Sequence, residues 1–308
     1  MTSADRRISA IATGQLGAFT RAQANDVGLS DRQLRSRVQS GFLVRTGPNT
    51  FRSTAAPTSP ASDLTDVMIG LGDESWVSHQ TAAALHGFDG YTLRRPFHVT
   101  VPRERSLNRW NVKVHRTGSI DIVDRDAVDG LAVTTATRTL IDIARTASAE
   151  QLAAALDSAL RDGLTSESAL HRRIVAMRSK GRYGLPLLHA VLAGHEVTRG
   201  GQSWLEREYL RLLAAAGMLP PLTQQVLTRA GDQLVRVDCR FPGTNVVVEL
   251  LGYRFHRTQG EMSRDAARMN ALIADGFRPV QFTYAHVVSD QAYVVEATRS
   301  MLVLGNVA

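Results

Sequence analysis

The sequence predicts an α/β protein of the α+β multidomain kind, and three observations carry that prediction. Helix-period and strand-period segments alternate irregularly along 308 residues, a length sufficient for two or three domains with real cores. Hydrophobic residues make up 44% and charged residues 21%, the balance of a globular chain. The short Pro-, Gly- and Ser-bearing stretches near residues 53–61 and 181–201 divide the chain into a small amino-terminal unit, a mixed middle segment and a carboxyl-terminal unit. The divisions expected are 1–55, 62–198 and 200–308.

The amino-terminal unit is built from caps and stops. Arg6–Ala12 reads as a first helix with Ile8 and Ile11 on one face. Thr20 caps a second, Arg21–Val27, which Gly28 ends. Ser30 caps a third, Asp31–Ser40, ended by Gly41, in which Leu34 and Val38 face inward. Phe42–Arg45 and Thr50–Arg52 then read as strands around Gly47-Pro48-Asn49. Two helices, a turn, a basic helix and a hairpin are the order of a winged helix-turn-helix, whose second motif helix enters the major groove.

Charge supports this assignment. Residues 1–55 hold eight Arg against three Asp, hence +5 of the total +7. A surplus confined to one small unit is the footprint expected of a DNA-contacting module. Arg35 and Gln33 suit base edges, Arg for guanine and Gln for adenine. Arg32 lies on the same outer face, and Arg37, Arg45 and Arg52 are assigned to phosphate. A protein–protein adaptor is the competing use of such a unit.

The middle segment reads as helices Leu64–Leu71 and Gln80–His86, strands Phe97–Val101, Val112–His115 and Leu131–Val133, then helices Arg138–Arg145, Ala149–Arg161 and Ser166–Ala176. It shows no catalytic constellation. His79 and His86 share a helix face without a carboxylate partner, and Arg138 and Asp142 suggest a helix-surface ion pair. Arg172, Arg173, Arg178, Lys180 and Arg182 either follow a phosphate backbone or form a solvated loop.

From Ser203 the reading is a helix to Ala216, strands Thr223–Leu227, Leu234–Phe241 and Val246–Leu250, a helix from Ser263 to Asp275, a strand Pro279–Thr283 and a last helix Ser289–Leu302. Val246-Val247-Val248 is apolar enough to be buried on both faces. This αβββαβ order is that of the restriction-endonuclease-like core. It places Asp238 and Glu249 on neighbouring strands, as oxygen ligands suited to Mg2+, with Glu206 on the preceding helix. His256 follows as a candidate general acid or base. The catalytic set expected is therefore Glu206, Asp238, Glu249 and His256, with Asp238 and Glu249 as metal ligands. Arg254 or Arg257 would hold phosphate, and Arg264, Asp265 and Arg268 would support the site from the next helix. The competing use of Glu249 is a salt bridge to Arg236 or Arg240 across the sheet.

Three stretches carry family resemblances. "GAFTRAQANDVGLSDRQLRSRVQSGFLVRTGPNTFR" resembles the amino-terminal domain of AbiEi-type antitoxins of type IV toxin–antitoxin systems. "VSHQTAAALHG", "FHVTVPR", "VTTATRTLIDIAR" and "ALDSALRDGL" resemble the segment that follows it in such proteins. "RVDCRFPGTNVVVELLGYRFHRT" resembles very-short-patch-repair (Vsr) endonucleases and their relatives in the PD-(D/E)XK class. The first two imply a DNA-binding antitoxin with a nucleotidyltransferase-like toxin as partner, and the third implies a metal nuclease. The chain departs from the nuclease pattern: Leu251 stands where a lysine, aspartate or histidine is usual, and the only lysines are Lys113 and Lys180.

Two functions follow. One is a Mg2+-dependent DNA endonuclease targeted by the winged helix; the other is a regulator or antitoxin whose nuclease-like domain no longer cleaves. Both require double-stranded DNA. The lone Cys239 excludes an internal disulfide and a cysteine-based zinc cluster. No apolar run reaches membrane-spanning length and no secretory signal is evident, so a cytoplasmic protein without membrane contact is expected.

Overall fold

The computed structural model describes residues 3–105, 111–177, 185–198, 204–230, 233–251 and 259–305. The chain forms two compact units, Met1–Ser166 and Glu167–Ala308, with helices and, among the described residues, three separate sheets.

The first unit opens with α1 (Ser3–Thr13), β1 (Ala18–Thr20), α2 (Arg21–Asp26), α3 (Asp31–Gln39), β2 (Leu43–Arg45) and β3 (Thr50–Ser53). Local chemistry sets the helix starts. Thr20 and Gln23 form a reciprocal capping box at α2, and Ser30 and Gln33 form another at α3. The strands make an antiparallel sheet in the order β1-β3-β2, aligned by Ala18↔Arg52 and Leu43↔Ser53. Ile8, Phe19, Leu29, Leu34 and Phe51 form its buried core. Gly17 turns the chain into β1 at φ +90°, where an added Cβ would meet that of Ala56 at 2.2 Å, so both backbone and space demand glycine.

Residues 53–61, expected to be a linker, are held in place instead. Thr54 donates through its hydroxyl to Gly41 O (2.8 Å). Ser59 caps the next helix, which has Pro60 in its first turn. That helix, α4 (Pro60–Leu71), is followed by β4 (Trp76–Val77), α5 (His79–Leu85), β5 (Phe97–Pro102), β6 (Val112–Thr117), a 3-10 turn at Ile122–Asp124, β7 (Arg125–Val128), β8 (Leu131–Thr134), α6 (Ala136–Ile143) and α7 (Ala149–Arg161). The five strands form a mixed sheet in the order β6-β5-β4-β8-β7, and Val77, Phe97, Val99, Val101 and Val133 pack it against α4. Arg138 and Asp142 pair as expected (2.9 Å), but not at the surface. Arg138 is buried with Asp124, which takes a second bond from it at 2.7 Å, while Asp142 is partly buried.

The second unit comprises α8 (Glu167–Ala176), α9 (Leu185–Thr198), α10 (Trp204–Ala215), β9 (Leu222–Ala230), β10 (Gln233–Arg240), β11 (Val246–Leu251), α11 (Gln259–Ala274), β12 (Arg278–Thr283), α12 (Tyr284–Ser289) and α13 (Gln291–Gly305). The sheet order is β12-β11-β10-β9, with β11 and β12 parallel and the other pairs antiparallel. The three valines of β11 are central: Val246 and Val248 join one core with Leu205, Tyr209 and Phe282, while Val247 joins a second with Leu272. The last helix stands in one piece close to its expected place, but a short helix that was not expected, α12, precedes it, capped by Thr283 and His286 and ended at Asp290. In α8, His171 stacks on Trp204 at 3.9 Å and hydrogen-bonds the Tyr284 hydroxyl, which ties this helix to the second unit.

Candidate functional site

Two places hold the residues that the sequence singled out. The first is α3. Leu34 is 2% exposed and anchors the helix, which leaves Arg32, Gln33, Arg35 and Ser36 on the solvent face. Arg32 and Arg35 carry no ion pair or hydrogen bond among the described residues. Their neighbours are engaged. Gln33 Oε1 accepts from its own cap, Ser30 N, at 2.8 Å. A two-point contact with adenine needs that oxygen, so the capping role displaces the expected base-reading one. Arg37 donates to Asp5 at 2.6 Å and to Gln33 O at 3.1 Å, which clamps α3 to α1. Arg45 is exposed and braces the β2–β3 turn through Gly47 O (3.1 Å) and Pro48 O (2.5 Å).

Arg52 corrects the expectation most sharply. It is 4% exposed, with its guanidinium bonded to Asp66 and, at 2.9 Å, to Asp63, which also takes Arg95 at 2.6 Å. A buried, doubly paired arginine fixes β3 to α4 and does not reach a phosphate.

The second place is the β10–β11 pair. The register Cys239↔Val248 brings Asp238 and Glu249 to the same end of the ladder, where Asp238 Oδ2 accepts from Leu250 N at 2.7 Å. Glu249 is 7% exposed. Its Oε2 accepts from Arg268 of α11 at 2.5 Å, and its Oε1 is buried with no hydrogen-bond partner among the described residues. The cross-sheet partners expected for Glu249, Arg236 and Arg240, are thus replaced by a helix residue. Arg268 also bonds Arg236 O at 3.1 Å, which fixes its direction.

Burial raises the Glu249 carboxyl to about 7; Arg268 opposes that shift, and the negative charges of Asp238 and Asp265 reinforce it. Burial likewise raises Asp238, against the Leu250 N–H and the positive charge of Arg268. Glu206 is buried on α10. It lies within electrostatic reach of the same spot: burial, with the charges of Asp238, Glu206 and Glu249, pushes the Cys239 thiol up to about 12.

The three carboxylates nevertheless do not bring ligand oxygens within 4.8 Å of one another. Among the described residues the set that does gather its donor atoms so closely is His79, His98 and His115. The sequence reading paired His79 with His86 instead, but His86 Nε2 is bonded to Thr134 O (2.7 Å). His256, Arg254 and Arg257 lie outside the described residues, as do Arg178, Lys180 and Arg182.

Residues 76–183 match the family described as the AbiEi antitoxin C-terminal domain. Uncharacterized proteins of two Mycobacterium tuberculosis strains, CDC 1551 / Oshkosh and H37Rv, are each 25% identical over 244 residues, which is 79% of this chain and 86% of theirs. Among solved structures, the RV2827C protein from Mycobacterium tuberculosis aligns with a TM-score of 0.43 at 17% identity, over 62% of this chain and 78% of that one. No helix among the described residues is long and apolar enough to cross a membrane.

Proposed function

We propose that this protein is a cytoplasmic DNA-binding regulator of the antitoxin type. Residues 1–55 act as its winged helix-turn-helix, double-stranded DNA is its ligand and a nucleotidyltransferase-like toxin is its protein partner. The observation that carries the reading is α3: a helix with a sealed inner face whose two unengaged arginines, Arg32 and Arg35, point to solvent. In this reading Arg35 reads a base edge, Arg32 holds phosphate, and the turn that Arg45 braces rests on the backbone. The antitoxin-family match over 76–183 supports the type of regulator. The Arg268–Glu249 pair favours a carboxyl-terminal domain of restriction-endonuclease-like order that no longer cleaves, because the protein itself supplies the cation that its strand carboxylate faces.

A second reading, a Mg2+-dependent endonuclease, rests on the partnerless Glu249 Oε1 beside Asp238. Mg2+ commonly takes one or two carboxylates and keeps several waters, so Asp238 and Glu249 suffice as protein ligands once Arg268 yields. When bound, such an ion polarises a scissile phosphate and lowers the pKa of the attacking water. Glu206 would orient that water and His256 would move the proton.

Fluorescence anisotropy on a duplex from upstream of the protein's own gene, beside a scrambled duplex, tests the first reading. Supercoiled plasmid incubated with Mg2+ or Mn2+ tests the second, with Glu249→Ala and a chelator as controls. Sequence-selective binding without nicking supports the regulator. Nicking that vanishes in the variant and with chelator replaces it with the nuclease. Absence of DNA binding removes both.

A further inference from the structure

Three histidines of the first unit stand on elements that carry neither site above. β5 and β6 run parallel with His98↔Lys113 and Thr100↔His115 in register, so His98 and His115 share one face of the sheet. Phe97, Val99, Val101 and Val112 occupy the apolar core on the other. His79 arrives from β4 at the start of α5 with φ +51°, a left-handed conformation that L-residues rarely take. Its ring stacks on that of His115 with centroids 3.5 Å apart at 11°, and lies 5.9 Å from that of His98. His98 Nδ1 and His115 Nε2 are 3.0 Å apart. A hydroxyl relay orients the group: Thr100 donates to Ser78 Oγ (2.8 Å), which lies 3.1 Å from His79 Nδ1.

We propose that His79, His98 and His115 form a binding site for one transition-metal dication of the Zn2+ class, with a fourth coordination position left for a non-protein ligand. All three donor atoms already lie within 4.8 Å of one another. A tetrahedral ion with Zn–N near 2.0–2.1 Å needs ligand nitrogens about 3.3 Å apart. The His98–His115 separation is close to that, and His79 meets it by rotating its ring out of the stack, since parallel faces cannot aim two lone pairs at one ion.

The donor set selects the metal class. Imidazoles without a carboxylate suit Zn2+, Cu2+, Ni2+ or Fe2+ and not Mg2+ or Ca2+. Burial keeps the three rings neutral, the ligating form, with His79 lowered to about 2 and His98 and His115 to about 4. Arg138 contributes little net charge because Asp124 and Asp142 hold it. Lys113 lies within electrostatic reach of all three rings; its charge opposes the dication and favours an anion, such as hydroxide, at the fourth position. The left-handed backbone of His79 is shared by Leu16, Glu74, Asp129 and Gln224, so the proposal stands on the gathered donor atoms and not on that conformation.

The test uses full-length protein without a polyhistidine tag, stripped with chelator. It is titrated with Zn2+ by calorimetry and with Co2+ by visible absorption. The expected result is one ion per chain and d–d bands of a four-coordinate Co2+ site. His98→Gln and His115→Gln should each weaken binding by about 100-fold or more, given that even groups behind the ligands cost about 10–100-fold. His86→Gln should bind as the parent does, which separates the cluster from the neighbouring histidine bonded to Thr134 O. Circular dichroism of each variant establishes that it is folded; should His98→Gln fail, the half-buried His115→Gln decides. No saturable binding, or binding that the cluster variants leave unchanged, overturns the proposal.

Discussion

Charge is presented in opposite ways on α3 and at the β10–β11 pair. On α3, Arg32 and Arg35 stand in solvent without partners among the described residues, while their neighbours Gln33 and Arg37 are absorbed into a cap and a clamp. At the strand pair, Glu249 is buried and faces Arg268 at 2.5 Å. The first surface keeps its charge for a ligand; the second answers most of its charge from within. The type of side chain therefore does not identify a site, and what its neighbours leave unengaged does. Arg52 makes the same point inside one unit, because it shares the composition of the α3 arginines and none of their availability.

The largest effect expected from this contrast is on stability. Arg52→Ala leaves Asp66 buried without its cation, a loss of about 3–5 kcal/mol. Arg35→Ala touches nothing and should stay within about 0.5 kcal/mol. Urea unfolding of the two variants checks this, and similar losses would erase the distinction between engaged and available arginines.

The next effect is the pH response of Glu249. Its folded pKa, about 7, lies above the ordinary 4.5. The folded state therefore holds the proton more tightly, and its stability falls as pH rises from about 4.5 to 7. The contribution is on the order of 3 kcal/mol. Glu249→Gln should remove that slope, as urea midpoints at pH 5 and pH 8 would show. A variant with the parent's slope would mean that the carboxylate is not desolvated as described. Smaller still, Arg32→Ala should lower the magnitude of the salt-dependence slope of DNA binding by about one, with little change in sequence preference.

Legibility followed sequence distance. The starts of α2 and α3 were readable because Thr20, Gln23, Ser30 and Gln33 act within one turn. The central place of Val246-Val247-Val248 was readable because burial on both faces leaves a run with no alternation. The strands β1, β4 and β7, of two to four residues, were not; β2 and β3 are as short, and the turn Gly47-Pro48-Asn49 between them made them readable where periodicity could not. The Ser30-x-x-Gln33 spacing did announce a capping box, and the adenine-reading role overlooked it. The partners of Arg52 lie 11 and 14 residues on, and that of Glu249 19 residues on in α11. No local pattern reports such pairings. The histidine cluster is equally non-local: His79, His98 and His115 meet only once β4, β5 and β6 share a sheet.

The most direct test of the central claim is the affinity of Arg35→Ala for a preferred duplex and for a random one at the same salt concentration. A base-reading arginine predicts a loss of about 1–3 kcal/mol on the preferred site and a much smaller one on random DNA. Equal losses on both duplexes, or none on either, would contradict the assignment of α3 as the reading helix of a DNA-binding regulator.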